Sequence, residues 1–396
     1  MRCGLLAREL LSRRHSVTWV SSNFFHFTKS YRYSDPLNSL PRGLQIVLLR
    51  TTPYHKNVSI FRLINHQQYC VRLKRWMESN PVPEGIIVTY PLLYAAWLCL
   101  EFGKSKGIPV VVDIQDIWPE VFLTAFPKRL RGLARILLVG QFRQGKKIFR
   151  LADNCTAVSR YYLQYGESLK GTKFSYSQVY YLGYQPSSSD SDQLGLELLK
   201  VSGFEPSDVN FTFVGMLGSS YDISCVIRAA RIIRSSYPSV KFIIAGDGPL
   251  KAQWQREAQG LDNVRFIGFV DSSRLGALLR HSFAGLVTYI SGALQSIPNK
   301  PIEYVAYGLP VVNSLSGEFA ELIENKRIGI SYVPGNVESL IVAIKTFLDN
   351  PIFVSECRKN VQEVFAQLFS AQNIYPRFAN DLEHLFKHGI HASTGD

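Results

Sequence analysis

Hydrophobic residues along this chain fall into short unbroken runs separated by longer stretches of helical spacing. His15–Ser22 (HSVTWVSS), Gly43–Arg50, Gly85–Tyr90 and Ile108–Ile114 have the length and β-branched content of buried strands. Leu5–Arg14, Ile60–Glu78 and Leu92–Lys106 have helical periodicity, and Asn154–Ser159 with Gln178–Gly183 completes another strand–helix–strand unit. Pro186–Gln193 (PSSSDSDQ) then interrupts the alternation as a polar linker. Beyond it, strands are expected at Phe211–Leu217, Val240–Ala245, Val264–Phe269, Phe283–Ile290, Leu309–Asn313 and Ile328–Val333. Helices fill the intervals, and Val337–Asp349 and Pro351–Phe369 follow. A last helix, Pro376–Lys387, comes after a break at Asn373–Tyr375 and is expected to return to the first half.

Strands alternating with helices predict parallel sheets covered on both faces. The fold class expected is α/β, with two doubly wound, Rossmann-like domains at 1–185 and 194–372, a linker at 186–193 and a helical tail at 373–396. Ligands of such a pair are expected in the cleft between the halves. One feature departs from the pattern. A doubly wound domain ordinarily begins with its central strand, whereas this chain begins with a helix. Each neighbouring backbone group left buried and unpaired costs about 1–3 kcal/mol. Either another segment fills that place or the chain begins late, and the late start is the reading adopted.

Composition narrows the picture. A chain of 396 residues, 46% hydrophobic and 19% charged, is globular and long enough for two cores. Its net charge of +13 calls for an anionic partner: nucleic acid, an acidic membrane or phosphorylated substrates. Six widely spaced cysteines without C-x-x-C pairs read as buried thiols in a reducing compartment, and the histidines lack H-x-x-x-H spacing. Arg8, Glu9, Arg13 and Arg14 interrupt any N-terminal signal sequence. Gly85–Phe102 is too short for a membrane span and is broken by Pro91 and Glu101. A soluble or peripherally bound cytoplasmic protein is expected.

The chemistry concentrates in Ser291–Val312 (SGALQSIPNKPIEYVAYGLPVV), where an apolar run gives way to a small-residue loop and a helix from Asn299 to Gly308. A helix start presents unpaired N–H groups to phosphate. Lys300 lies on its first turn. Glu303, one turn in, is either a carboxylate for a ribose diol or a surface glutamate. The whole stretch is otherwise an ordinary βαβ crossover.

Several ordered patterns resemble family 4 (group 1) glycosyltransferases. They are LLARELLSRRHSVTWVSS at 5–22, DIQDIWPE at 113–120, the strand and turn at 213–218, IAGDGP at 244–249, NVRFIGF at 263–269 and, within Ser291–Val312, the block that runs from Pro298 through Lys300 and Glu303 to Val311. Asp113–Glu120 is similar to a segment of the bacterial surface-polysaccharide members. The resemblance runs from about residue 5 to 350. It implies a GT-B fold, transfer of a sugar from a nucleotide diphosphate with retention, and no bound metal or other cofactor. A UDP-sugar donor and a lipid-linked or saccharide acceptor at the inner membrane face follow from the same likeness.

The resemblance also assigns candidate roles. Glu303 matches the second glutamate of the family's E-x7-E signature, which holds the ribose; Gln295 stands where the first would be. Lys300 meets diphosphate charge, with backbone N–H groups of Ser296, Ile297 and Asn299 beside it. Gly215 and Gly218 let the backbone approach phosphate, although Ser219, Ser220, Tyr221 and Asp222 replace the usual basic residues there. Gly246, Asp247, Gly248 and Pro249 form a turn near the nucleobase or a plain turn. Asp116 contacts the acceptor hydroxyl, acts as base, or caps a helix. Trp118 stacks on sugar or fills the core. His26 binds acceptor or donor sugar, or is a plain loop histidine. Gly4 is read as the remnant of a glycine-rich loop.

Two further signals stand apart. Asp190–Ser191–Asp192 has the D-x-D form but sits in the linker, not after a strand, so no metal is expected there. Lys128–Arg150 holds eight basic residues and no acidic ones, interleaved with Leu130, Leu133, Ile136, Leu137 and Leu138. It reads as a basic amphipathic helix on an anionic membrane surface, or as a solvated face. No nucleic-acid module is recognised. Rival readings are a nucleotide-sugar 2-epimerase of the same fold and a catalytically impaired nucleotide-sugar-binding protein.

Overall fold

The structure, a computed structural model, describes residues 2–26, 28–32, 40–55, 59–124, 126–186, 192–201, 203–205 and 207–388. The chain divides into two compact units: Met1–Tyr180 with Ile374–Asp396, and Tyr181–Asn373. The last helix therefore belongs to unit 1. The expected linker, 186–193, lies mostly outside the described residues, as do Asp190 and Ser191 of the D-x-D match.

In unit 1 the chain forms α1 (Arg2–Ser12), β1 (Val17–Ser22), β2 (Phe24–Phe25), β3 (Ser30–Tyr31), β4 (Leu44–Leu49), α2 (Ile60–Ser79) and β5 (Ile86–Tyr90). It continues with α3 (Leu93–Lys106), β6 (Val110–Ile114), α4 (Glu120–Leu123), α5 (Arg131–Leu137), α6 (Val139–Leu151), β7 (Asn154–Ala157), α7 (Arg160–Lys170) and β8 (Tyr176–Val179). Helix boundaries follow local chemistry. The Ser59 hydroxyl accepts from the Arg62 N–H at the start of α2, and Gly107 closes α3 in the left-handed region.

Among the described residues the parallel strands of unit 1 form two sheets, β1–β4 and β5–β6–β7–β8. Strand β8 starts two residues earlier than the apolar run at Gln178–Gly183 had indicated, because it pairs Tyr176 with Asn154. Gly4 lies inside α1, with Trp19 in ordinary contact range of its face, and not in a glycine-rich loop. Arg2, on the first turn of α1, is buried against Asp113 at the end of β6.

Unit 2 comprises α8 (Asp192–Val201), β9 (Val209–Val214), α9 (Ile223–Ile233), β10 (Val240–Ala245), α10 (Lys251–Glu257), β11 (Val264–Gly268), α11 (Ser272–Arg280) and β12 (Ala284–Val287). Then come α12 (Asn299–Ala306), β13 (Val311–Asn313), α13 (Glu318–Lys326), β14 (Gly329–Ser331), α14 (Val337–Asp349) and α15 (Pro351–Val364). Among the described residues its six parallel strands run in the order β11–β10–β9–β12–β13–β14. The period-2 alternation of a strand decides which face each residue enters. Phe211, Phe213, Phe242 and Ile244 pack with α9 and α14, while Val214, Ile243 and Ala245 pack with α11, α12 and α13. Both faces are thus apolar, which is why the strands read as continuous hydrophobic runs.

The C-terminal break is displaced from its expected place. A π-helical turn at Phe365–Phe369 ends at Ser370, and α16 (Ala371–His388) runs through Pro376. A proline is tolerated there at the cost of one main-chain donor. Tyr180 stacks on Phe378, and its hydroxyl donates to Asp381, fixing this helix within unit 1.

Candidate active site

In unit 2, β9, β10 and β11 step one way across the sheet and β12, β13 and β14 step the other. The reversal falls between β9 and β12, where the loops leaving their carboxyl ends separate to opposite faces. Such a switch point is the ligand crevice of open α/β sheets. Two loops border it, 215–222 after β9 and 288–298 after β12. They are tied together by Asp222 N–H to Thr288 O at 2.8 Å and Ile290 N–H to Ser220 O at 3.1 Å.

The helix that follows, α12, is seated by one buried side chain. Tyr304 is fully buried; its hydroxyl accepts from the Val214 N–H at 2.8 Å and donates to Leu286 O at 3.4 Å. Its ring fills the space that a side chain at Gly285 would occupy, 2.3 Å from a Cβ there. Tyr304 thus bridges β9 and β12 and sets α12 over the switch point. Pro298 precedes the helix and makes no side-chain cap, and Pro301 has no N–H, so the groups left at the helix start for an anion are the N–H groups of Asn299 and Lys300.

Lys300 and Glu303 form an ion pair, Nζ to Oε2 at 2.8 Å. Burial raises the Glu303 carboxyl above its ordinary value, and Lys300 offsets part of that rise. Gln295 Oε1 and Thr288 Oγ1, both on the loop after β12, are buried without a hydrogen-bond partner among the described residues. Buried acceptors of this kind ordinarily find a partner. Asn299 is exposed at the helix start, whereas Ser296 and the Ile297 side chain are buried.

The structure adds a residue that spacing alone did not reveal. Glu318, fully buried in the first turn of α13, accepts from Ser296 Oγ at 3.0 Å and from Tyr181 Oη at 2.8 Å. It anchors the loop that carries Gln295 and Ser296. The only local signal was an acidic residue directly after Gly317 at a helix start.

The glycines divide by purpose. A Cβ on Gly246 would stand 1.8 Å from Gly215 O, and one on Gly248 2.5 Å from Leu217 O. Both have positive φ, 143° and 156°. Their smallness serves the packing of one loop on another, sealed by Leu217 N–H to Asp247 O at 2.8 Å. Gly215 is likewise tight, against the Phe213 ring. Around Gly218, by contrast, a Cβ would meet nothing within 4 Å. Pro249 and Asp247 are exposed on the turn after β10.

In unit 1 the sequence candidates Asp116, Trp118 and His26 join one contiguous group. The loop after β6 is fixed at the Trp118 carbonyl, which accepts from Tyr165 Oη at 2.8 Å and from the Tyr90 hydroxyl. Asp116 accepts from its neighbour Ile117 N–H at 2.9 Å and from Trp118 Nε1 at 3.3 Å. It caps no helix, because α4 begins at Glu120 behind Pro119. Burial raises its carboxyl, against these two hydrogen bonds, the direction a general base needs. Trp118 is half-buried, not a core residue. It stacks on His66 at 6.3 Å, and the Arg62 guanidinium lies 4.9 Å from its ring. Arg62 also approaches the Tyr54 ring, whose hydroxyl is 2.7 Å from His26 Nδ1.

Burial lowers the His66 imidazole to about 4, helped by Arg62 and His26, so this ring is neutral at physiological pH. Burial and nearby Lys29 and Arg62 lower His26 as well. Arg62, His66, Lys29 and Tyr54 were not singled out by motif. Arg62 and His66 stand four apart on a helix and so share a face, which is the signal that was available.

Asp113, three residues before Asp116, has a different task. Arg2 holds both its oxygens, Nε to Oδ2 at 2.9 Å and Nη2 to Oδ1 at 2.8 Å. Thr156 Oγ1 and Gln115 Nε2 each add a bond at 2.7 Å. Burial would raise this carboxyl; Arg2 and these hydrogen bonds outweigh it and hold it below the usual range.

The basic stretch 128–150 is two helices, not one. A short 3-10 turn leads into α5, and the chain bends at Leu138 before α6. Leu133, Ile136 and Leu137 are 59%, 69% and 73% exposed. Among the described residues no helix is long and apolar enough to cross a membrane. All six cysteines are free thiols, and all but Cys3 are buried.

Comparison with known proteins bears on this geometry. Residues 197–364 match the model of glycosyl transferases group 1. The glycogen synthase of Mycobacterium tuberculosis is 29% identical over 143 residues, 35% of this chain and 34% of that protein. The match thus spans about a third of that relative's length. A putative colanic acid biosynthesis glycosyl transferase of Escherichia coli, WcaI, is 25% identical over 326 residues, covering 78% of this chain and 75% of its own. Among solved structures, Anabaena Alr3699/HepE in complex with UDP aligns with a TM-score of 0.69 and 17% identity, over 97% of this chain and 95% of that one. The fold is GT-B, with two Rossmann-like α/β units, and the unit 2 domain resembles those of group 1 glycosyltransferases.

Proposed function

We propose that this chain, with its group 1 glycosyl transferase domain at 197–364, is a glycosyltransferase of cell-surface polysaccharide assembly. It moves a sugar from a nucleotide diphosphate, a UDP-sugar, to a lipid-linked or saccharide acceptor with retention. The observation that carries the reading is the Lys300–Glu303 pair on the uncapped start of α12, set over the switch point by Tyr304.

The residues support a division of labour. Glu303 accepts from the ribose hydroxyls. Lys300, already at the helix start, turns to the diphosphate together with the free N–H groups of α12. This stabilises the charge that develops on the leaving group. Gln295 Oε1 takes a sugar hydroxyl and so gains the partner it lacks. In unit 1, Asp116 receives the acceptor hydroxyl, and Trp118 offers a flat face to a sugar ring. His26 belongs to the acceptor side.

The exposed apolar residues of α5, flanked by Arg131, Arg135 and Arg143, support peripheral attachment to an anionic membrane, the inner face of the plasma membrane. The test is a panel of UDP- and GDP-sugars incubated with prenyl-diphosphate-linked sugar, read as nucleoside diphosphate released. Acceptor-dependent release from a UDP-sugar is expected. Release from none, with UDP bound, overturns the transferase reading and leaves a binding protein.

A further inference from the structure

We infer that Tyr165 and Tyr90 are positioning residues for the Asp116 carboxyl, acting with Glu120 through the two ends of Trp118. This deepens the transferase reading and rests on it where it gives Asp116 the acceptor hydroxyl.

The two phenols reach the loop after β6 from different elements. Tyr165 stands on α7, and Tyr90 ends β5 and is fully buried. Glycines let the helices come close enough. A Cβ on Gly166 would stand 2.8 Å from Ile114 Cδ1, and one on Gly145 of α6 would stand 3.2 Å from Tyr90 Oη. Phe149 packs on both rings, with centroids 4.9 Å from Tyr90 and 5.9 Å from Tyr165.

Hydrogens and acceptors balance here. A phenol has one O–H to donate. Tyr165 Oη has two acceptors in reach, Trp118 O at 2.8 Å and Glu120 Oε2 at 2.7 Å. The Tyr90 hydroxyl supplies a second hydrogen, to Trp118 O. Burial pushes both phenols well above their ordinary value, so both remain donors. Two hydrogens thus serve one carbonyl and one carboxylate, and deleting either leaves an acceptor of this loop short of a partner.

Trp118 carries the constraint to Asp116. Its carbonyl is held by the phenols, while its indole Nε1 donates to Asp116 Oδ2 at 3.3 Å. That distance is at the long end for a hydrogen bond, so a small displacement of the residue breaks it. The bond favours the charged carboxylate, against the burial that raises it. A Trp118 released from its anchors therefore leaves the Asp116 carboxyl raised further. Phe122 packs on the indole at 4.6 Å. The titratable groups around the pair are Tyr90 of β5, Tyr165 of α7, Glu120 of α4, and Arg62 and His66 of α2.

The experiment follows the indole N–H resonance of Trp118 against pH in the full chain carrying nitrogen-labelled tryptophan, assigned with Trp118→Phe. Acceptor-dependent transfer is measured alongside. Asp116→Asn identifies the carboxyl step and separates it from that of His66, which burial lowers to about 4. Tyr165→Phe keeps the ring and deletes the hydroxyl. It should move the Asp116 step to higher pH and lower transfer about ten- to a hundred-fold. The acid limb of the rate profile should move with the step, and UDP affinity should be unchanged. Tyr90→Phe, an independent deletion on another element, should act in the same direction. Glu120→Gln, which still accepts from Tyr165, should leave the step in place. An Asp116 step unmoved in the folded phenylalanine variants overturns the inference, as does a rate that falls while the acid limb stays. A step that moves down in Glu120→Gln overturns the part given to Glu120, because that residue would then act by its charge. A step moved by Tyr165→Phe in a chain that transfers no sugar keeps the positioning role and discards the transferase reading.

Discussion

Lys300 Nζ and Glu303 Oε2 lie 2.8 Å apart on the first turns of α12, a cation and a carboxylate held together where a nucleotide diphosphate would meet the helix start. Burial raises the Glu303 carboxyl, and Lys300 lowers it only in part. A protonated carboxyl loses acceptor capacity for a ribose diol. UDP affinity should therefore fall as pH falls, with onset above the ordinary glutamate value of 4.5. Glu303→Gln should remove this step. The difference between the two proteins, measured by titration calorimetry, separates Glu303 from the nucleotide's own phosphate. Superimposable pH profiles would deny Glu303 the ribose.

Arg2 and Asp113 form the corresponding buried pair of unit 1. Removing one partner leaves the other's charge uncompensated, and such losses run to about 3–5 kcal/mol. Arg2→Ala should destabilise unit 1 by about that much in denaturant unfolding. Because the folded Asp113 carboxyl is held low, its stabilisation is complete above the unfolded value of about 3.9 and is lost as pH falls through the folded one. Asp113→Asn should flatten the acid limb of the stability curve.

Two glycines of unit 2 should respond oppositely. Gly246→Ala places a Cβ against the Gly215 carbonyl, in a backbone conformation that itself disfavours side chains. A loss of about 1–3 kcal/mol is expected by thermal unfolding. Gly218→Ala meets open space and should keep the melting temperature. If the phosphates approach the backbone there, it should nevertheless weaken UDP binding.

The membrane claim rests on α5 and α6. Basic residues near an anionic surface contribute about 1 kcal/mol each. Replacing Arg143 and Lys146 by Gln should weaken binding to anionic vesicles by about 2 kcal/mol at low salt. Ile136→Ser with Leu137→Ser should weaken it further without altering the salt dependence. Lys147 is a poorer target, since its ammonium covers the Trp97 ring. Vesicle binding unchanged in both variants would remove the claim.

The pattern of the sequence was most informative where apolar runs are buried on both faces. The strands from Val209 to Val287 and the helix at Asn299 stand within about three residues of the expected places, the largest differences being the earlier ends of β9 and β12. It was least informative where tertiary contacts override local signals. The break expected at Asn373–Tyr375 is absent: α16 begins at Ala371 and runs through Pro376, with Tyr180 packed on Phe378 and bonded to Asp381. The two aspartates of DIQD look alike in sequence. Only the approach of Arg2, 111 positions away, separates the structural one from the candidate base. Glu318 and the Arg62–His66 face were hidden for the same reason, since their partners lie on other elements.

The most direct measurement is calorimetric titration of a UDP-sugar into the intact chain and into Glu303→Ala. Removing a charged hydrogen-bonding partner should weaken binding by about 1–3 kcal/mol, with the melting temperature of the free protein preserved. Equal affinity in the two proteins would contradict the assignment of α12 as the nucleotide-sugar site.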